Sequence, residues 1–246
     1  MSKPAGLEKI AKTLSNEVGA LSFGGKVHTV YNPLDYAWNG HGEYIRRFGS
    51  APKKVIFLGI NPGPWGMVQT GVPFGEIPAV KDWMGINVQI GKPPVEHPKR
   101  PVEGFECAKS EVSGRRFWGL MMERFGTADA FFKDHYVANY CPLVFMEESS
   151  RNLTPDKLSA EEREPLFAAC DRHLAASVEL LTPEWLIGIG KFAMERFENI
   201  LTMLSEGLRE SVKTGTVLHP SPASPAANRG WAEAAVKQLV KQGVWK

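Results

Sequence analysis

The feature that most constrains this chain is the run Lys54-Val55-Ile56-Phe57-Leu58-Gly59-Ile60. It is apolar at consecutive positions rather than alternate ones, the pattern of a strand buried on both faces. Such a strand needs helices above and below it, so the run implies a layered α/β domain. Three similar runs follow: Tyr136-Val137-Ala138-Asn139-Tyr140, Trp185-Leu186-Ile187-Gly188-Ile189 and Thr216-Val217-Leu218. Helical spacing lies before and between them. Leu7, Ile10, Ala11, Leu14 and Val18 mark one helix, and Phe117, Leu120, Met121 and Phe125 mark another from Arg115 to Phe125. Leu166, Cys170, Leu174 and Val178 recur at helical spacing within Pro155 to Leu181, a span read as more than one piece. Further helices are predicted from Phe192 to Leu204 and from Gly230 to Val240.

Strands alternating with helices predict a three-layer α/β/α sandwich around a short, mostly parallel four-stranded sheet, with residues 1–246 forming one domain. Thr154-Pro155 supplies a helix start, an N-cap followed by proline. The stretch through His28, Asn32-Pro33-Leu34 and Trp38-Asn39-Gly40 reads as irregular. Thr70 to Gly114, rich in glycine and proline, is too long for an ordinary connection and reads as a functional loop with small helical pieces.

The rest of the composition sets limits. At 246 residues, 43% hydrophobic and 23% charged, the chain has ample material for a core. A net charge of +2 neither demands nor excludes a polyanionic partner, because a local basic patch suffices. Cys107, Cys141 and Cys170 are sparse, odd in number and without a C-x-x-C pair, which suggests a reducing compartment and offers no thiolate metal site. No stretch approaches the ~20 apolar residues that cross a bilayer, and Met1-Ser2-Lys3-Pro4 does not open a signal peptide. The expected location is cytosolic or nuclear.

If the four strands run parallel, their carboxyl ends gather Asn61, Asn139, Gly190-Lys191 and His219 on one rim, where open sheets bind ligands. No Asp or Glu stands at a strand end, so a carboxylate-bound metal is not expected. Gly188-Ile189-Gly190-Lys191-Phe192 lacks the spacing of a phosphate loop, a Gly-x-Ser-x-Gly elbow is missing, and no cofactor is implied. What remains is recognition by amides and a histidine, close backbone approach at glycines, and flat surfaces from Trp65 and Phe74. That set suits a planar polar ligand such as a nucleobase.

Two segments start at strand ends: Asn61-Pro62-Gly63-Pro64, Gly66-Met67 and Gln69 to Gly75 in the first, and His219-Pro220-Ser221-Pro222, Pro225, Ala227-Asn228 and Gly230-Trp231 in the second. With Asn139, Cys141-Pro142-Leu143 and Arg151-Asn152-Leu153-Thr154-Pro155, they resemble the single-strand-selective monofunctional uracil-DNA glycosylases, a branch of the uracil-DNA glycosylase superfamily. The two segments are similar to motifs 1 and 2 of that family, and the resemblance spans most of the chain from about Leu21 onward.

The resemblance implies hydrolysis of the N-glycosidic bond of uracil in single- and double-stranded DNA, leaving an abasic site. C5-modified uracils and deaminated purines stay open as further substrates. It implies that Asn61 holds the attacking water and that His219 donates to the departing base. Phe74 stacks on the flipped base and Asn139 reads its edge, while Ile60, Gly63 and Met67 line the pocket. Pro220, Ser221, Pro222, Ala223, Ser224, Asn228 and Arg229 press on DNA. A monomer without metal or membrane attachment is expected, in the nucleoid of a bacterium or the nucleus of a eukaryote. The competing reading is a weakly catalytic binding protein with the same pocket, and a third is an enzyme of free nucleosides.

Residue by residue, plainer roles stand beside these. Asn61 before Pro62 forms turns well, and His219 could be a capping or core histidine; their joint occurrence in the two motifs favours function. Lys191 is open between a phosphate contact and a solvated side chain, as are Lys92 to Pro101, Arg115 and Arg116. The chain departs from vertebrate-like relatives at Ile60, where they carry methionine, at Trp65, where they carry phenylalanine, and at Ala223, where they carry an arginine.

Overall fold

All four apolar runs form strands, and the four strands are parallel. The computed structural model describes residues 3–246. In chain order its elements begin with helix α1 (Lys3–Gly19), strand β1 (Thr29–Tyr31), helices α2 (Pro33–Tyr36) and α3 (Trp38–Phe48), strand β2 (Val55–Gly59) and the single turn α4 (Met67–Thr70). Helices α5 (Val112–Phe125) and α6 (Ala128–Asp134) lead to strands β3 (His135–Asn139), β4 (Val144–Met146) and β5 (Asn152–Leu153). The second half holds α7 (Ala160–Leu181), β6 (Trp185–Ile189), α8 (Lys191–Ile200), α9 (Glu206–Ser211), β7 (Lys213–Val217), α10 (Pro225–Asn228) and α11 (Trp231–Gln242).

The parallel sheet has the order β3-β2-β6-β7. Its central strand β2 is buried at every position, as a continuous apolar run requires. Helices α5, α6 and α11 cover one face, and α7 and α8, backed by α1, cover the other, giving the three layers. On the first face Phe57 of β2 meets Phe117, Phe131 and Trp245, a cluster of aromatic rings that accounts for much of the apolar burial there. Register places Gly59 opposite Asn139 and Ile189 opposite Val217, so the carboxyl ends of the strands lie on one rim.

The structure corrects the sequence reading in four places. The last strand spans Lys213–Val217 rather than Thr216 to Leu218. As an edge strand it is only half covered, so Lys213 and Thr214 carry no apolar signal. The stretch read as irregular holds β1, α2 and α3. Helix α3 buries His41, Tyr44, Ile45 and Phe48 on one face, but Asn39, Gly40 and Gly42 weaken its helical signature. Thr154-Pro155 opens only a 3-10 turn, Pro155–Lys157; the long helix α7 starts after Ser159, which forms a capping box with Glu162. Finally, β1, β4 and β5 make a second, antiparallel sheet of three strands, each too short to show periodicity in sequence.

The long loop from Thr70 to Gly114 is ordered by buried polar groups. The Gln69 amide donates to the Pro64 and Pro101 carbonyls at 3.1 and 3.0 Å, and its oxygen accepts from the Glu103 and Gly104 amides at 2.8 and 3.1 Å. One side chain thereby satisfies four hydrogen bonds and ties the start of the loop to residues 101–104. The three cysteines are free and buried. Among the described residues no helix is long and apolar enough to cross a membrane.

Candidate active site

At the carboxyl rim the chain encloses a cavity of about 570 Å³, lined among others by Ile60, Asn61, Gly63, Met67, Phe74, Asn139, His219, Ser221, Pro222, Ala223 and Ser224. Such a volume is in the usual range for small-molecule sites. The rim thus brings together both amides and the histidine. Lys191 does not line it: its ammonium is exposed and pairs with Glu195 at 3.4 Å, within α8. Trp65 also faces elsewhere, carrying the Arg100 guanidinium over its ring at 4.8 Å. Of the basic loop, Arg100 is therefore packed on motif 1, Lys92 is paired with Glu96 at 3.3 Å, and Lys99 is exposed.

The aromatic wall is built from β2 outward. Phe74 has a left-handed backbone, φ 54°, an uncommon conformation for a bulky residue that concentrates at functional sites. Its ring stacks on Phe117 of α5 with centroids 5.2 Å apart, and Trp118 Nε1 donates to its carbonyl at 3.0 Å. Gly59 ends β2 because a side chain there would come within 2.7 Å of the Phe74 ring. Asn139 crosses from β3 to the same point, its Nδ2 donating to Met67 Sδ at 3.3 Å.

Asn61 follows β2. Its Nδ2 donates to the Leu143 carbonyl at 3.2 Å, which leaves Oδ1 as an acceptor on the cavity side. His219 follows β7. Its Nδ1 accepts the Ser221 amide at 3.1 Å. A ring nitrogen that accepts a backbone N–H carries no proton, so the neutral imidazole is protonated at Nε2, the donor left for the cavity. Burial lowers the His219 pKa to about 4, so the ring is neutral at physiological pH. His219 also lies against Phe74, with ring centroids 6.4 Å apart.

Several wall residues were not among the expected site residues, Glu111, Asn152 and Thr154 chief among them. The expected rim had no acid, yet Glu111, the N-cap of α5, lines the cavity and accepts the Ser113 amide at 3.2 Å. Its carboxylate sits where a Gly63 side chain would be, which explains the glycine. Burial, followed by the neighbouring Glu76 charge, pushes the Glu111 carboxyl up from its ordinary value, against the pull of the Ser113 amide. The signal was an acid just ahead of a helical stripe, in Ser110-Glu111-Val112-Ser113. Asn152 and Thr154, from β5 and the residue after it, complete the wall; Asn152 Oδ1 is buried without a protein donor. Among the described residues no cluster of acids, histidines and cysteines could hold a metal ion.

The motif 2 residues divide. Ser221, Pro222, Ala223 and Ser224 line the cavity mouth, with Pro222 and Ala223 exposed. Pro220 is buried, and the Asn228 amide is engaged within the loop, its Nδ2 donating to the Pro222 carbonyl at 2.9 Å. Arg229 is exposed at the C-cap of α10.

Residues 47–241 match the model of the uracil DNA glycosylase superfamily. The chain belongs to that superfamily. Within it, the chain is 48% identical to the single-strand selective monofunctional uracil-DNA glycosylase of Rattus norvegicus over 94% of its own length and 82% of the relative's. The Bos taurus protein of the same name is 46% identical over 94% of this chain and 84% of that one. The solved structure of SMUG2 from Pedobacter heparinus shares the superfamily fold at 16% identity, with a TM-score of 0.59 over 96% of this chain and 99% of that chain.

Proposed function

We propose that this member of the superfamily is a monofunctional DNA glycosylase that hydrolyses the N-glycosidic bond of uracil and leaves an abasic site. The observation that carries this reading is the convergence of Asn61, Asn139, Phe74 and a neutral, Nε2-protonated His219 on one cavity. The names of the relatives support it. The substrate is extruded from its strand, which costs less in single-stranded than in duplex DNA. Phe74 stacks on the base and the Asn139 amide pairs with its edge.

When the bond between the sugar and N1 breaks, the base leaves with the electron pair and negative charge grows on its oxygens. The His219 Nε2–H donates to that charge, and one preorganised donor of this kind is typically worth ~3–4 kcal/mol. Because its pKa is about 4, His219 acts as a neutral donor and need not transfer its proton. The free Oδ1 of Asn61 orients the water that attacks the sugar, but an amide cannot accept a proton at neutral pH. Slower turnover than an enzyme with a carboxylate at this position follows.

The enzyme acts as a monomer on single-stranded and duplex DNA, in the compartment that holds the genome, with Pro222, Ala223 and Arg229 facing the strand. Uracils with small C5 groups fit the same reading, since Gly63 and Met67 line the cavity.

The test is single-turnover base release from a uracil oligonucleotide, free and paired with guanine. The parent should release uracil. His219→Ala and Asn61→Ala should each slow release by ~10²–10³-fold, the scale of one lost transition-state donor, while DNA affinity changes far less. Parallel loss of binding and rate in Asn61→Ala would remove its water-holding role. No release from either strand form would turn the search to xanthine and then to a binding protein with this pocket.

A further inference from the structure

Arg116 is the residue that joins the two motifs. It stands in the second turn of α5, whose neighbouring residues Phe117 and Trp118 support Phe74. Its guanidinium crosses to motif 2. Nη1 donates to the carbonyls of Pro220 at 3.0 Å and Ser221 at 3.3 Å, and Nη2 donates to Asn228 Oδ1 at 2.9 Å. The segment it holds carries Pro220, Pro222 and Pro225, which lack an N–H donor, so before the single turn α10 its backbone closes on itself only through the Ser224 amide, which donates to the Ser221 carbonyl at 3.0 Å. The Pro220 carbonyl takes its partner from outside the loop, and Arg116 supplies it while adding a second donor to the Ser221 carbonyl.

Ser221 is consequently gripped from both sides. Its carbonyl accepts from Arg116, and its amide donates to His219 Nδ1 at 3.1 Å. The second bond is the one that places the His219 proton on Nε2. We propose that Arg116 is a positioning residue for His219: by fixing Ser221 it fixes the tautomer and aim of the imidazole. The proposal rests on the reading of His219 as the donor to the departing base. A phosphate-binding role is the alternative for an arginine near DNA, but here both terminal nitrogens already donate to loop acceptors. Lysine keeps the charge but cannot reproduce a planar fork that reaches three oxygens.

The experiment is a double-mutant cycle on single-turnover uracil release from single-stranded DNA, with Arg116→Ala, His219→Ala and the double variant. Residues that act through one another are non-additive. Arg116→Ala should slow release by ~10- to 100-fold in the parent and by no more than ~3-fold when His219 is already alanine. Additive losses overturn the proposal. If His219→Ala leaves the rate untouched, the reading of the site and the proposal fall together, which separates the two failures.

A purely structural arginine is separated by nitrogen NMR of the imidazole. The parent should show His219 as a single Nε2–H tautomer and Arg116→Ala a mixture; one unchanged tautomer in the variant overturns the proposal. Arg116→Lys keeps the charge and most of the packing should Arg116→Ala fail to fold. It should give an intermediate rate and a mixed tautomer, and a parental rate and tautomer would overturn the proposal.

Discussion

The two motifs meet at one cavity but are held in opposite ways. Motif 1 is pinned from below. Met67 to Pro73 is buried, Gln69 satisfies four loop groups, and the carbonyl of Gly71 accepts from His41 Nδ1 at 2.8 Å. Motif 2 rises to the surface. Pro222, Ala223, Pro225, Ala226, Asn228 and Arg229 are exposed, and the loop is braced from outside chiefly by Arg116. Each motif also rests on a neutral histidine, buried in motif 1 and half-buried in motif 2, but in opposite tautomers: His41 must donate from Nδ1, since a carbonyl only accepts, whereas His219 must accept there. The difference matches two tasks. The wall that grips a base gains from rigidity, and the face that meets a deformable strand gains from reach.

Acid is the largest perturbation of that comparison. Burial lowers His41, His135, His173 and His219 each to about 4, against an ordinary value of 6.5. Between those values the unfolded chain binds more protons than the folded one, so stability rises with pH across the window. Each histidine contributes stability that is present in full above about 6.5 and is lost, at a slope on the order of 1 kcal/mol per pH unit, as pH falls toward 4. Thermal melts should therefore fall steeply from about pH 6.5 downward. His219→Asn should soften the slope by one histidine's share and leave the core histidines to unfold the rest. A melting temperature that stays flat to about pH 4.5 would break the account of both motifs.

A smaller effect probes motif 1 alone. Phe74→Ala removes the ring between Phe117 and the cavity while sparing the carbonyl that Trp118 holds. Affinity for uracil-containing single strands should weaken by ~1–3 kcal/mol, the usual value of a base stacked on an aromatic ring, and affinity for undamaged strands by much less. Equal losses on both would return Phe74 to the scaffold and leave the cavity without its stacking wall.

These two regions also differed in how far they could be read in advance. The parallel sheet was legible because β2 and β6 are covered on both faces, which prints continuous apolar letters. The rim residues Asn61, Asn139 and His219 followed from strand ends alone, and the resemblance supplied roles for them. What was hidden depended on contacts between distant segments. Glu111 reads as one acid in a loop until folding sets it against Gly63. Arg116 reads as one of two neighbouring arginines, and only the approach of α5 to Pro220 and Asn228 separates it from Arg115, whose Nη1 reaches no further than Ser110 at 3.4 Å. Lys191 was placed correctly at a helix start beside the rim, yet its side chain turns along α8 to Glu195. Periodicity reports which face is buried; it does not report which polar groups meet across the fold.

The smallest effect separates the two arginines of motif 2's surroundings. Arg229 is exposed on the outer side of the loop, whereas the Arg116 fork is spent on loop oxygens. Neutralising one phosphate contact should make the salt dependence of single-strand binding shallower by ~0.7 in log–log slope, because one fewer counterion is released. Arg229→Ala should show that change, with affinity weakened to the same extent whatever the sequence, as a backbone contact requires. Arg116→Ala should leave the slope where it is and show its loss in the rate of base release. Titrations at several salt concentrations with both variants decide the matter. A shallower slope for Arg116→Ala would mean that the brace also touches the strand, and an unchanged slope for Arg229→Ala would leave the exposed half of motif 2 without its strongest claim on a phosphate.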